Sequence, residues 1–391
     1  MLDQLTQQPA DALLAIIKLF NADARQDKID LGVGVYRTAD GATPVFRAIK
    51  AAEKRLWETQ DSKGYLGLVG DEGFVTRLMP YVFGADHPAD GRIAGMQTPG
   101  GTGAVRLGAA IAKAAGATRM LIGTPSWPNH AQILGDLDLE MVGFNHANTD
   151  GSADMDAIRS ALRSANAGDA ILLHGCCHNP TGVDYTPAEW DEIAALIAQR
   201  GVLPLVDVAY QGLGNGMAED RLGLKAVMAH CDEVLVAYSC DKNFGVYRDR
   251  VGAFYVVGKN ADDTNRAMSN AFALARASWS MPPDHGGAAI RIILEDEALT
   301  ADWLAEVEEM RDRINAVRAK LAEAVKAGSV DLTPLARQNG MFATLPVSPE
   351  QVKQLREEHG VYMAGSGRIN VAGLTTNNIP KFIHALADVT G

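Results

Sequence analysis

Four side chains with chemical capacity follow short apolar runs in this sequence. Asn179 lies in HGCCHNPTG (174–182), Asp207 and Tyr210 in DVAYQG (207–212), and Lys242 in SCDKNFG (239–245). They bring an amide, a carboxylate, a phenol and an amine. If the runs are strands of an open α/β sheet, ligands bind at the carboxyl ends of those strands, and the four groups share one edge. Upstream, TPGGTGAVRLG (98–108) sets a glycine-rich turn at the start of a helix, where unpaired backbone N–H groups and the helix dipole favour a phosphate. Arg250 opens a later apolar run and supplies a cation to the same anion.

Together these residues meet the demands of a pyridoxal cofactor, which needs a lysine for its covalent link, an acid for its ring nitrogen and a cradle for its phosphate. An Asp207 carboxylate beside the ring nitrogen keeps that nitrogen protonated, and the ring then draws off the electrons left when a substrate Cα loses its proton. Lys242, released by an incoming amine, is placed to move that proton as general base and acid. Tyr210 and Asn179 can donate to the ring oxygen, and Trp127 can stack on the ring face.

Taken singly, each group admits a plainer reading. TPGGTG can be close packing or a generic nucleotide loop, and Lys242 a solvated residue after a strand. Asp207 can be a cap, Tyr210 a rim aromatic and Trp127 core filling. Cys176, Cys177 and His178 could suggest a metal, but adjacent cysteines are poorly spaced for one tetrahedral ion, so no metal is expected.

The elements that must position these groups follow from pattern. The runs RMLIG (119–123), AILLHG (170–175), VLPLVDV (202–208), EVLVAYS (233–239) and AFYVVG (253–258) read as strands. Between them lie amphipathic segments such as TPAEWDEIAALIAQRG, with Thr186 to cap and Pro187 in the first helical position. Apolar strands alternating with helices predict a mostly parallel sheet covered on both faces. After Pro283 come long charged helices, one expected over 301–328 on a domain surface and ended by Gly328. The C-terminal part mixes short strands (GMFATL, GRINVAG) with helices, as a smaller α+β layer would.

A chain of 391 residues is long enough for two or three domains. Its net charge of −12 repels polyanions and argues against nucleic acid as a partner. Four cysteines, two of them adjacent, make no disulfide framework and read as buried thiols in a reducing compartment. The N-terminus carries Asp3 and Asp11 and lacks a basic leader, and no apolar stretch is long enough to span a membrane. A cytoplasmic protein without a membrane partner is expected.

Ordered motifs over nearly the whole chain resemble class I aspartate and aromatic amino-acid aminotransferases. They are LGVGVYR (31–37), YLG (65–67), TPGGTGA (98–104), PSWPNH (125–130) and HGCCHNPTG (174–182). Further on come DVAYQG (207–212), KNFGVYRDRVG (242–252), RASWSMPPDHG (276–286), QNGMF (338–342) and SGRINVAG (366–373). The resemblance implies the α/β pyridoxal-phosphate-dependent transferase fold (fold type I), a large domain with a mostly parallel mixed sheet between helices plus a smaller α+β domain. Its expected boundaries are an N-terminal arm over 1–12, a small domain over 13–45 and 312–391, and a large cofactor-binding domain over 46–311.

Position by position, the resemblance implies Lys242 as the cofactor lysine, Asp207 at the ring nitrogen with His130 behind it, Tyr210 and Asn179 at the ring oxygen, and Trp127 on the ring. Gly101, Thr102, Ser239 and Arg250 would hold the phosphate, joined by Tyr65 of the neighbouring subunit. Arg368 would grip the substrate α-carboxylate as a bidentate pair, and Gly34 would lie over the substrate. Arg276 aligns with the residue that reaches across a dimer to the distal carboxylate of aspartate, glutamate and 2-oxoglutarate. Amino acids and 2-oxo acids are therefore the implied small-molecule partners, with ping-pong transfer, in a homodimer with shared sites.

Two positions depart from the family pattern. The residue before the lysine, commonly serine, is Asp241, so Arg250 absorbs its charge, or Asp241 points elsewhere, or cofactor binding is weakened; looser binding with activity retained is the expectation. Gly64 and Met281 replace polar groups and leave room for a ring, which favours aromatic substrates beside dicarboxylates; aspartate-only activity is the alternative. A lyase or decarboxylase on the same fold, or a non-catalytic cofactor-binding protein, are the rivals from other classes.

Overall fold

Unbroken apolar strands need cover on both faces, and three in the middle of this chain have it: Ala170–His174, Val234–Ser239 and Val251–Val257 are buried at every residue. They belong to a seven-stranded sheet in the computed structural model, which describes residues 1–7 and 12–391. Across the sheet the strands run Ile93–Pro99, Val251–Val257, Val234–Ser239, Leu203–Val208, Ala170–His174, Arg119–Thr124 and Glu140–Asn145. The last five are parallel to one another. Val251–Val257 alone runs against its neighbours, pairing Gly252 with Ser239 on one side and Val251 with Pro99 on the other. That reversal brings the start of this strand to the edge where the others end.

Local chemistry sets the helices between the strands. Pro187–Arg200 begins with a reciprocal capping box between Thr186 and Glu189 and stops at Gly201, which adopts the left-handed conformation. Gly100–Ala114 starts directly after the strand ending at Pro99.

The chain divides into two compact units, one of residues 1–43, 314–336 and 341–391, the other of 44–313 and 337–340. The larger holds the seven-stranded sheet and a core that includes Met120, Ile122, Leu172, Leu205, Leu235 and Phe254. The smaller holds the pairs Ile29–Asp30 with Val361–Tyr362 and Phe342–Thr344 with Arg368–Asn370, over a core that includes Leu31, Leu345, Val371 and Phe382. Residues 8–11 of the expected N-terminal arm lie outside the described residues. No helix among the described residues is long and apolar enough to cross a membrane.

Three expectations are corrected. The charged helix spans Glu297–Ala322 and not 301–328, because Gly328 with a φ of 60° turns a short antiparallel pair, Lys326–Ala327 with Val330–Asp331. Nor is that helix only a surface element. Trp303 is fully buried, stacks on Phe244 with centroids 4.2 Å apart, and donates from Nε1 to the Asn243 carbonyl at 2.6 Å. Two edge strands, Ile93–Pro99 and Glu140–Asn145, are absent from the sequence reading, the second being exposed at four of its six residues.

Candidate active site

Asp207 is the fifth residue of the strand Leu203–Val208, level with His174 on one neighbour and Ala237 on the other. The carboxylate is buried, and its Oδ2 lies 3.0 Å from Nε2 of the fully buried His130. A carboxylate only accepts, so His130 carries its proton on Nε2 and takes the Ser126 hydroxyl on Nδ1, 2.9 Å away. His130 sits in the first turn of Pro128–Asp136, which Trp127 caps, and the Trp127 ring meets the imidazole edge-on at 5.1 Å.

Asn179, in the loop after Ala170–His174, reaches the Tyr210 hydroxyl at 3.4 Å, while its Oδ1 is buried with no hydrogen-bond partner in the protein. Lys242 follows the strand Val234–Ser239. Its Nζ lies 4.9 Å from the centre of the Tyr210 ring and 3.5 Å from Ser239 Oγ. Burial holds the Lys242 amine below its ordinary range, against the opposing pull of Asp241 and Asp207. Asn243 fixes the loop behind the lysine by donating to the Gln211 carbonyl and the Tyr238 hydroxyl.

A second group of residues surrounds the N-terminus of Gly100–Ala114. Gly100 has a φ of 72°, and a Cβ there would stand 2.5 Å from Arg250 Nη2. A Cβ on Gly101 would stand 2.7 Å from that of Ser239. The turn must be glycine, and its backbone faces a guanidinium and a hydroxyl; Thr102 is the next residue of the helix. Arg250 itself adopts a φ of 56°, unusual for a residue with a side chain. Its Nη1 donates to Asp241 Oδ2 and to the Tyr247 carbonyl, and Asp241 Oδ1 accepts from the Val251 N–H at 3.2 Å. Of the three possibilities for Asp241, the first is the one observed: Arg250 takes up its charge.

Backbone donors, a hydroxyl and a guanidinium thus lie beside an amine, a phenol and a histidine-backed carboxylate on one sheet edge. This donor set fits a phosphate and a basic aromatic ring, and the unpaired end of Asn179 fits a polar ring substituent.

The sequence reading missed a column of imidazoles behind this edge. His130 and His174 have centroids 5.1 Å apart, His174 and His178 4.2 Å, and His178 stacks on His146 at 3.5 Å with planes 9° apart. His146 donates from Nε2 to the Val183 carbonyl, which leaves Nδ1 to accept from Tyr185. Burial lowers His146 to about 4 and holds His174 and His178 well below their ordinary range. The four-residue spacing of His174 and His178 was a signal in the sequence; nothing there tied His146 to them.

Four further implied residues lie on other segments of the chain. In the smaller unit, Arg368 donates to the Gly32 carbonyl at 2.7 Å and lies over the Phe342 ring at 4.8 Å. Gly34 packs on the same ring, where a Cβ would stand 2.9 Å from Phe342 Cζ. In the larger unit, Tyr65 and Arg276 line a pocket of about 630 Å³ with Leu66, Ser280 and Met281, and Tyr65 is 96% exposed.

Residues 26–386 match the family Aminotransferase class I and II. The chain belongs to that family. It is 50% identical over 377 residues to the tyrosine aminotransferase of Rhizobium meliloti (strain 1021), covering 96% of this chain and 97% of that one. It is 41% identical to the aspartate aminotransferase of Escherichia coli (strain K12), covering both chains completely. The aromatic-amino-acid aminotransferase of Burkholderia pseudomallei, solved covalently bound to pyridoxal phosphate, superimposes with a TM-score of 0.96 at 35% identity over the full length of both. This protein is accordingly a pyridoxal-phosphate-dependent aminotransferase with the fold of class I. The aminotransferase keeps its four cysteines as free, buried thiols. Its Cys176, Cys177 and Asp220 approach one another, but the hydrogen bond its S–H gives to Cys176, together with burial, pushes the Cys177 thiol well above its usual range, away from the thiolate a metal requires.

Proposed function

We propose that this aminotransferase exchanges amino groups between L-amino acids, both aromatic and dicarboxylic, and 2-oxoglutarate in a ping-pong cycle, as a cytoplasmic homodimer. The observation that carries the chemistry is the convergence of the Asp207–His130 pair and Lys242 on one edge of the sheet. Bound pyridoxal phosphate supplies a protonated ring that accepts the electron pair left by the departing Cα proton.

The chain's own residues do the rest. Asp207 holds the proton on the ring nitrogen, and His130 fixes the carboxylate by filling one of its acceptor sites. Tyr210 and Asn179 bind the ring oxygen and Trp127 covers the ring. Gly101, Thr102, Ser239 and Arg250, with Tyr65 of the partner subunit, hold the phosphate. Lys242 carries the proton between the substrate Cα and the carbon that receives the amine; its lowered affinity for protons suits a base that must start neutral. Arg368 binds the α-carboxylate beneath Gly34.

Arg276 supports dicarboxylate binding and its neighbour Met281 an apolar rim, so the same pocket mouth suits both substrate classes. The exposure of Tyr65 at that pocket mouth, beside the exposed Leu66, supports a twofold partner covering it. Free buried thiols support a reducing compartment.

The test is a half-reaction. Holoenzyme is mixed with aspartate, glutamate, phenylalanine or tyrosine alone, and the absorbance of the bound cofactor is followed. Conversion to the amine form by both donor classes, reversed by 2-oxoglutarate and absent in Lys242→Ala, is expected. Conversion by dicarboxylates alone would restrict the enzyme to aspartate and its kin.

A further inference from the structure

The Asp241 carboxylate stands inside the phosphate cradle, not beside it. Its Oδ2 is bound to Arg250 Nη1 and lies 3.2 Å from the point a Gly100 Cβ would occupy, at the mouth of the helix Gly100–Ala114. Its Oδ1 accepts the Val251 N–H, and its side chain is 3% exposed. With both oxygens engaged and the walls closed, the carboxylate has no solvent to turn into. A phosphate entering this cradle brings two negative charges to a guanidinium already neutralised by a third, and like charges sharing a buried site cannot all stay ionised.

We propose that Asp241 gives up its charge when the cofactor's phosphate binds, so that loading the cofactor takes a proton from solvent onto Asp241 Oδ2. The proposal rests on the reading above that Gly101, Ser239 and Arg250 form the phosphate cradle. The proton goes to the oxygen that Arg250 releases, and Oδ1 keeps its bond to Val251. A neutral carboxyl then carries an O–H donor, so Asp241 is chemically silent toward the phosphate at low pH and repulsive at high pH.

The groups that face Asp241 are consistent with this. Arg250 and the neighbouring Lys242 stabilise its charge, the Cys240 thiol and the Ser239 hydroxyl are neutral, and its own N–H points to Ser239 Oγ at 3.4 Å. Burial outweighs both cations and already holds the Asp241 carboxyl above its ordinary range without any phosphate.

The experiment measures sulfate binding to the cofactor-free full-length chain by calorimetry from pH 6 to 9, in buffers of different ionisation enthalpy. Sulfate stays dianionic throughout, so any pH dependence belongs to the protein. The dissociation rate of pyridoxal phosphate from holoenzyme is measured over the same range. Wild type should lose sulfate affinity with rising pH by up to about tenfold per unit where one proton is taken up. Asp241→Asn and Asp241→Ser should bind about one proton fewer and hold sulfate roughly tenfold or more tighter at the upper end, any remaining slope belonging to Lys242. Cofactor release should be slowed in both variants at high pH and little changed at pH 6. If both variants match wild type in affinity and proton uptake while Arg250→Ala abolishes binding, the cradle stands and the proposal fails. If Arg250→Ala binds sulfate as wild type does, the cradle reading itself is wrong and the proposal falls with it.

Discussion

His130 Nε2 and Asp207 Oδ2 lie 3.0 Å apart in a layer where neither side chain is more than 5% exposed. A buried hydrogen bond to a charged group contributes about 1.5–3 kcal/mol, which converts to roughly ten- to hundredfold in a rate that depends on it. His130→Asn should lower kcat by about that factor and Asp207→Asn by more, at least about a hundredfold, because the second change removes the charge itself. Steady-state rates with the tightest donor settle the order; equal effects would mean that His130 does more than orient Asp207.

The proposed sharing of sites between subunits is checked by complementation. Lys242→Ala and Arg276→Ala are each expected to be nearly inactive toward aspartate. In a hybrid dimer one site would carry both defects and the other neither. Random assortment of the two variants should therefore restore about a quarter of wild-type activity. No recovery after unfolding and joint refolding would place Arg276 and Lys242 of one chain in the same site.

Arg368 and Arg276 should separate in their kinetic signatures. Arg368→Lys loses the planar fork and should raise KM for every substrate, by roughly tenfold or more. Arg276→Ala should depress kcat/KM for aspartate and 2-oxoglutarate while leaving phenylalanine within about threefold. A uniform loss in both variants would deny Arg276 a role in selecting the distal carboxylate.

Acid should unfold this protein through its imidazole column. In the unfolded chain His146, His174 and His178 titrate near about 6.5, whereas in the fold burial lowers His146 to about 4 and the other two well below their ordinary range. Below the higher value the unfolded chain takes up protons that the folded chain refuses. Their stabilisation is complete above that value and lost as pH falls. Asp220 pulls the other way: burial raises it to about 6, so between its unfolded value and 6 the fold keeps a proton and gains as pH falls. Replacing His146 by Asn should flatten the loss near pH 5 by about 1.4 kcal/mol per pH unit. Urea midpoints at pH 7, 6 and 5 for both proteins provide the measure, and parallel slopes would refute the assignment.

Much of this was legible in the sequence because the physics was local. The central strands announce themselves as apolar runs since both their faces are covered, and Thr186 and Glu189 sit at the spacing their capping box needs. The glycines of 98–103 were readable as a turn, although that Gly100 clears Arg250 and Gly101 clears Ser239 needed three dimensions. What failed to show was set by distant partners. Glu140–Asn145 is an edge strand with polar, exposed positions, so it lacks the apolar signature. Trp303 looked like part of a surface helix because Phe244 and Asn243, which bury it, lie far away in sequence. The stacking of His146 on His178 joins two loops that no periodicity connects.

The reversed strand Val251–Val257 has a kinetic corollary. Its pairing of Gly252 with Ser239 closes the intervening loop at its base, and both Lys242 and Arg250 lie on that single closed stitch. The covalent anchor and the ionic anchor of the cofactor are thereby mounted on one segment that opens as a unit. Opening of that one pair of rungs should then loosen the lysine and the guanidinium together, while departure of the cofactor still requires water to cleave its covalent link to Lys242.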